Sequence, residues 1–215
     1  SEALILDNGT IRFGQERRPG IPAKLAMTSE LAELMGLYCA AGCVIKGAGR
    51  PNSYNLTFAF GLHEKHLADR ARDLLKQIFG VNAYETMRTT TRAVSIGKAS
   101  LALMFASLCG SESEKKKIPP AILEAEPSIA AAFLDAYVSG DGHRYPNGKI
   151  SVTTVSEKLA RDLAWLALRL GHLPGFYATD RPAELEISGR TVKLQPHQYT
   201  ICLLYTSPSP RDRQK

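Results

Sequence analysis

The 215-residue sequence predicts an α+β protein made of two related halves about a pseudo-twofold axis, each half running αββαββα. Three observations predict it. Two helix-sized apolar segments, Leu34-Met35-Gly36-Leu37-Tyr38-Cys39-Ala40-Ala41-Gly42 and Leu134-Asp135-Ala136-Tyr137-Val138-Ser139-Gly140-Asp141-Gly142, lie one hundred residues apart. Each carries small residues four apart, Gly36 and Ala40 in the first, Ala136 and Gly140 in the second. Each is followed by segments of alternating polar and apolar residues, broken by Gly, Pro and Asn, and then by an amphipathic helical stretch. Positions i and i+4 share a helix face, so each segment has a side with almost no side chain. Two such sides can meet backbone to backbone, with Leu34, Tyr38, Leu134 and Val138 packed around the seam. The C-terminal ends of the two helices then meet at one point.

The elements follow in order. Residues 1 to 27 hold an apolar run, Ala3-Leu4-Ile5-Leu6, an Asn8-Gly9 turn and the strand Thr10 to Phe13. A basic linker, Arg17-Arg18-Pro19-Gly20-Ile21-Pro22, leads to the first repeat, residues 28 to 125. Thr28 or Ser29 can cap its first helix, and Glu30 and Glu33 suit the first turn. Strands are expected at Cys43 to Lys46 and Ser53 to Phe60, where Leu56, Phe58 and Phe60 alternate with Asn55, Thr57 and Ala59. A helix over Glu64 to Phe79, a hairpin of Ala83 to Thr89 with Thr91 to Ile96, and a helix over Ala99 to Cys109 complete that half. The second repeat, residues 126 to 201, starts with a helix over Ser128 to Gly140. A hairpin around Pro146-Asn147-Gly148 returns through Ile150 to Val155. A helix over Glu157 to Leu170 and strands at Gly175 to Thr179 and Glu184 to Leu194 follow. From Cys202 onward hydrophobic periodicity is lost, and 202 to 215 reads as a non-native or disordered tail.

Composition is that of a soluble protein, 44% hydrophobic, with no apolar run near the ~20 residues a membrane span needs. No charged-then-apolar leader opens the chain, so secretion is not expected. The four cysteines lack zinc spacing and read as reduced thiols. The net charge of +6 matters for nucleic acid only if the basic groups share one surface. The lysine run Lys115 to Lys117, between the halves, fits either phosphate contact or a solvated linker.

The second segment delivers a carboxylate, Asp141, just before its last Gly; the first has Ala41 there. With the string Lys117-Ile118-Pro119-Pro120 and the hundred-residue spacing, these motifs resemble the paired motifs of the LAGLIDADG homing endonucleases. The resemblance spans roughly residues 22 to 200. It implies a saddle of antiparallel sheets with the motif helices at its centre. It also implies a monomer that binds a long double-stranded DNA site and hydrolyses phosphodiesters with Mg²⁺, while Ca²⁺ supports binding without cleavage. On this resemblance the metal ligands are Asp141 and the carbonyls of Gly140 and Ala40. The catalytic positions are Asp141, Ala41 and a basic residue that stabilises the reacting phosphate, for which Lys98 is the candidate. Ala41 removes an acid, so cleavage is expected to be impaired.

The open sheet face is expected to read DNA, because a two-stranded ribbon fits the major groove. Candidates in the first half are Lys46, Arg50, Asn52, Asn55, Thr57, Arg88, Thr90 and Arg92. In the second they are Arg144, Lys149, Ser151, Thr153, Tyr177, Thr179 and Arg181, with Arg190 a further possibility. Arg suits guanine, Asn adenine, and Ser or Thr several edges. His143 is assigned nothing. The lead-in through Lys24 resembles endonuclease domains embedded in inteins; a free-standing, intron-encoded enzyme fits equally, in a microbial cytoplasm or an organelle. The alternative is a catalytically inactive nucleic-acid-binding protein of the same fold, an intron maturase or a DNA-binding regulator. A protein-binding scaffold is a third reading.

Overall fold

The computed structural model of the chain describes residues 4–14, 16, 19–48, 50, 52–182, 184–187, 190–193 and 195–204. Three short strands open it: β1 (Leu4–Asp7), β2 (Thr10–Phe13) and β3 (Ile21–Pro22), an antiparallel sheet in the order β1-β2-β3. The Asn8-Gly9 turn joins the first two, with positive φ at both residues, as such tight hairpins require.

Helix α1 (Ser29–Ala41) starts at Thr28, whose hydroxyl accepts from the Leu31 N–H at 3.3 Å, the N-cap arrangement. β4 (Gly42–Lys46), β5 (Tyr54–Gly61), α2 (Lys65–Phe79), β6 (Tyr84–Met87), β7 (Thr91–Ile96) and α3 (Ala99–Cys109) complete the first half. Its sheet runs β4-β5-β7-β6, all antiparallel. A connection with a 3-10 turn at Ser113–Lys115 and the short α4 (Pro120–Leu123) leads into α5 (Pro127–Asp141). Then come β8 (Gly142–Arg144), β9 (Ile150–Thr154), α6 (Glu157–Arg169), β10 (Leu173–Asp180), β11 (Glu184–Ile187), β12 (Arg190–Lys193) and β13 (His197–Leu204).

The second sheet, β8-β9-β13-β10, repeats the first once the halves are aligned. This corrects the sequence reading in two places. The alternation over Glu184 to Leu194 is real but belongs to a separate two-stranded hairpin, β11 with β12. The strand that completes the sheet is β13, paired with β10 from Leu173↔Leu204 to Asp180↔His197. Cys202 and Leu203 are therefore buried sheet residues rather than tail. The αββαββα plan is complete in the first half, and the second half shows it through its fourth strand, β13; residues 205–215 lie outside the described range.

The core is shared. Tyr38, Tyr137, Phe58, Phe60, Phe105 and Phe133 are fully buried around the α1–α5 pair. Tyr38 packs at 5.0 Å from Phe105 and its hydroxyl donates to the Gly110 carbonyl at 2.8 Å. That bond satisfies a polar atom that burial would otherwise penalise.

Candidate functional site

The site begins with the seam. A Cβ on Gly36 would stand 2.4 Å from the Phe133 carbonyl oxygen and 2.9 Å from the Ala136 Cβ; one on Gly140 would stand 2.8 Å from the Ala40 Cβ. The four small residues therefore face each other in crossed pairs, Gly36 on Ala136 and Ala40 on Gly140. Both helices end on a Gly in extended conformation, Gly42 and Gly142, and each chain turns directly into a strand. Their tips open on a cavity of about 380 Å³ whose lining includes Cys39, Ala40, Cys43, Lys116, Asp141 and Arg181.

Asp141 is the acid there. Its carboxyl is pushed up to about 6, first by the protein packed around it, against which the Tyr137 hydroxyl donates at 3.4 Å; the charge of Glu64 raises it further. The residue keeps an open side to solvent, and water there screens part of the penalty. Between the ordinary carboxyl value of 3.8 and about 6, the folded chain holds a proton that the unfolded chain has released. Stability therefore falls as pH rises through that window. Thermal unfolding should show wild type losing ground to Asp141→Asn from about pH 4 to pH 6; parallel curves would mean an unperturbed carboxyl.

The basic group at the cavity is Lys116, which the sequence left ambiguous. It is 5% exposed. Its ammonium donates to the carbonyls of Tyr38 (3.1 Å) and Gly42 (2.8 Å) and lies 3.5 Å from the centre of the Tyr38 ring. Helix α1 has no basic residue in its last turn, and a cation is favourable at a helix C-terminus. Burial pushes the Lys116 ammonium below its usual value, opposed by the thiols of Cys39, Cys109 and Cys43. The connection holds it in place. The Ser156 hydroxyl, which also caps α6, donates to the Lys116 carbonyl at 2.6 Å, and Asp162 accepts from the Ile118 N–H at 3.2 Å. Arg169 donates to the carbonyls of Leu123 and Ala125.

Lys98 is not at this cavity. It is buried, and its ammonium donates to the Pro19 carbonyl of the N-terminal segment. Ala41 ends α1, half-buried, beside the Gly42 carbonyl that Lys116 holds.

Strand register sorts the remaining candidates. Val44, Leu56, Phe58, Val94 and Ile96 point to the helices, so Asn55 and Thr57 face the open side, as do Ser151, Thr153, Tyr177 and Thr179 in the second half. Thr57 is buried there and bonds Ser95 at 3.0 Å, and Thr153 bonds Thr200 at 3.3 Å. Arg50, Asn52, Arg88 and Thr90 are exposed in the turns beyond the strands, Lys149 lies in the β8–β9 turn, and Arg181 reaches the cavity. Three residues differ from expectation. Arg92 pairs in register with Phe60 on the helix side, where its guanidinium is held by Glu85 (2.6 Å) and the Leu62 carbonyl (3.1 Å). Lys46 and Arg144 also share the helix-side parity, though both are exposed at strand ends. The Arg190 side chain lies outside the described residues. His143, assigned nothing from the sequence, faces the open side opposite Ser151.

Among the described residues no group of three or more His, Cys, Asp or Glu could hold a metal by itself, and no helix is long and apolar enough to cross a membrane.

Known proteins resemble the chain both in sequence and in fold. Residues 128–193 match the family model described as a LAGLIDADG-like domain. Variants of the homing endonuclease I-DmoI superpose with a TM-score of 0.58 at 14% identity, covering 87% of this chain and 92% of that one. I-DmoI in complex with DNA and Mn gives 0.58 at 13% identity, covering 83% and 91%. In sequence, the DNA polymerase of Thermococcus kodakarensis is 29% identical over 160 residues, 71% of this chain and 9% of that protein. An A-type ATP synthase subunit of Pyrococcus abyssi is 28% identical over 165 residues, 75% of this chain and 15% of that protein. A protein of Methanocaldococcus jannaschii is 30% identical over 160 residues, 70% of this chain and 18% of that protein. The chain thus spans less than a fifth of each of these relatives.

Proposed function

We propose that this chain, which carries a LAGLIDADG-like domain on the LAGLIDADG homing-endonuclease fold, binds a specific duplex DNA site across its two open sheet faces and hydrolyses a phosphodiester at the helix tips, weakly because Ala41 supplies no acid. The observation that carries the reading is the convergence of Asp141, Lys116 and Arg181 on one cavity at the end of the glycine-lined seam. Solved I-DmoI complexes with DNA and Mn or Ca support duplex DNA as the partner and a divalent ion as the cofactor.

The donor set suits such an ion only in part. One carboxylate, Asp141, with the backbone carbonyls of Gly140 and Ala40, makes an incomplete protein shell, and phosphate oxygens and waters would complete it, as Mg²⁺ prefers. When bound, the ion would supply an activated water and neutralise charge at phosphorus. Asp141 must be ionised for this role, so ion affinity should fall below about pH 6. Lys116 lines the same cavity and burial depresses its proton affinity, which supports a role in stabilising the reacting phosphate or protonating the leaving oxygen. Lys116→Met should lower cleavage about 100-fold while leaving DNA affinity within a few-fold. Equal loss of both, in a variant that still melts cooperatively, would assign Lys116 to structure alone.

The polymerase and the ATP synthase protein differ in name, yet each shares a segment of similar size with this chain. That supports descent from a domain carried inside unrelated hosts, as intein endonucleases are. The second reading, a binder without catalysis, is favoured by Ala41. Selection of sites from randomised duplexes in Ca²⁺, followed by Mg²⁺ or Mn²⁺ digestion of the winner, tests both. Nicking supports the enzyme, and specific binding without nicking supports the binder. Weak binding that salt abolishes at every sequence would sink both.

A further inference from the structure

The two sheets present unlike chemistry at matched places. Aligned through their registers, the Cys43–Thr57 pair corresponds to His143–Ser151, and Ile45–Asn55 corresponds to Tyr145 opposite Lys149. All four pairs lie on the open side, by the alternation of the strands. Ile45 is 45% exposed. A single exposed aliphatic is ordinary; what distinguishes this one is a carboxamide directly across the ladder, where side chains on one face stand about 5 Å apart. Asn55 also has room to turn. A Cβ at Gly97 would come within 3.1 Å of its Oδ1, and glycine leaves that space open.

An aliphatic group beside a carboxamide matches one base pair. The major-groove edge of T·A runs from the adenine N7 acceptor and N6 donor past thymine O4 to the thymine methyl; Asn reads the first two together, and an apolar side chain a few ångströms away takes the methyl at the other end. The second half has neither group. There the Lys149 ammonium lies 5.5 Å from the Tyr145 ring, and the His143 ring packs edge-on at 4.3 Å from it. The aromatic ring holds a cation over the open face, and a lysine donates to the O6 and N7 acceptors of guanine.

We propose that Ile45–Asn55 and Tyr145–Lys149 are specificity determinants at equivalent steps of the two half-sites, the first selecting T·A and the second G·C, so that the recognised sequence is not palindromic there. This rests on the duplex-DNA reading above.

The test is site selection from randomised duplexes in Ca²⁺ with wild type, Asn55→Ala and Lys149→Ala, each first shown to melt like wild type. Wild type should return T·A at one step and G·C at the step mirrored about the site's centre. Asn55→Ala should relax only the first and Lys149→Ala only the second, each by about fivefold or more in base discrimination. Replacing the selected thymine by uracil should weaken wild type about fourfold, and Ile45→Ala hardly at all, since one methyl contact is removed in either case. A consensus that neither variant changes, or the same base pair at both mirrored steps, overturns this proposal and leaves DNA binding standing. No enriched sequence from folded wild type overturns both.

Discussion

Ala41→Asp should raise Mg²⁺-dependent cleavage of the selected site by about 100-fold or more, the typical contribution of one catalytic group. Position 41 is the register mate of Asp141. It ends α1 as Asp141 ends α5, and both helices pass into strands through an extended Gly. A carboxylate there would complete a second ligand at the tips and would stand beside the Gly42 carbonyl that holds Lys116. The ion pair so formed is the competing effect: Lys116 can partly neutralise the new acid instead of serving the phosphate. Endpoint cleavage of a labelled duplex, with Asp141→Asn in the Ala41→Asp background as control, separates the outcomes. Gain that disappears in the control places chemistry at both tips. No gain in a variant that still binds would remove position 41 from the site.

The second large effect concerns stability. Gly36→Val should destabilise the chain by ~3 kcal/mol or more, because overpacking at a closed contact forces backbone to move. The first atom of the new side chain would lie 2.4 Å from a backbone oxygen, Phe133 O, on the opposing helix. Backbone cannot rotate away as a flexible side chain does. A fall in melting temperature of roughly 6–12 °C follows for a chain of this size. Gly140→Ala meets only the Ala40 Cβ, at 2.8 Å, and should cost distinctly less. Equal or negligible losses for the two would mean that the helices are not in backbone contact at Gly36.

Much of this architecture is legible in the residues. The hundred-residue repeat locates α1 and α5, and the pairs of small residues name the atoms that touch. α3 has the predicted bounds, Ala99–Cys109, because a mostly apolar stretch interrupted only by Ser100 and Ser107 begins after Lys98 and stops at Gly110. The failures have physical causes. Arg92 sits in a run, Thr89 to Arg92, that looks like a polar edge, yet register with Phe60 sends it to the helix side, where Glu85 neutralises it. Local alternation cannot report a partner strand's parity. β13 was obscured because the Glu184–Lys193 hairpin alternates as well as any sheet strand and comes first in the chain. Lys116 is the most instructive case. Three successive lysines look solvated, and only the packing of the connection onto α6 decides that the middle one turns inward while Lys115 pairs with Glu112 in solvent. No spacing rule encodes that choice.

The connection between the repeats has a consequence of its own. It is fastened to α6 of the second repeat, yet its lysine closes the end of α1 in the first. The end of α1 is therefore built by contacts that reach across the molecule, since the residue closing it is held in place from α6. The two tips consequently differ in kind: one presents a carboxylate, and the other is closed by a fixed internal cation.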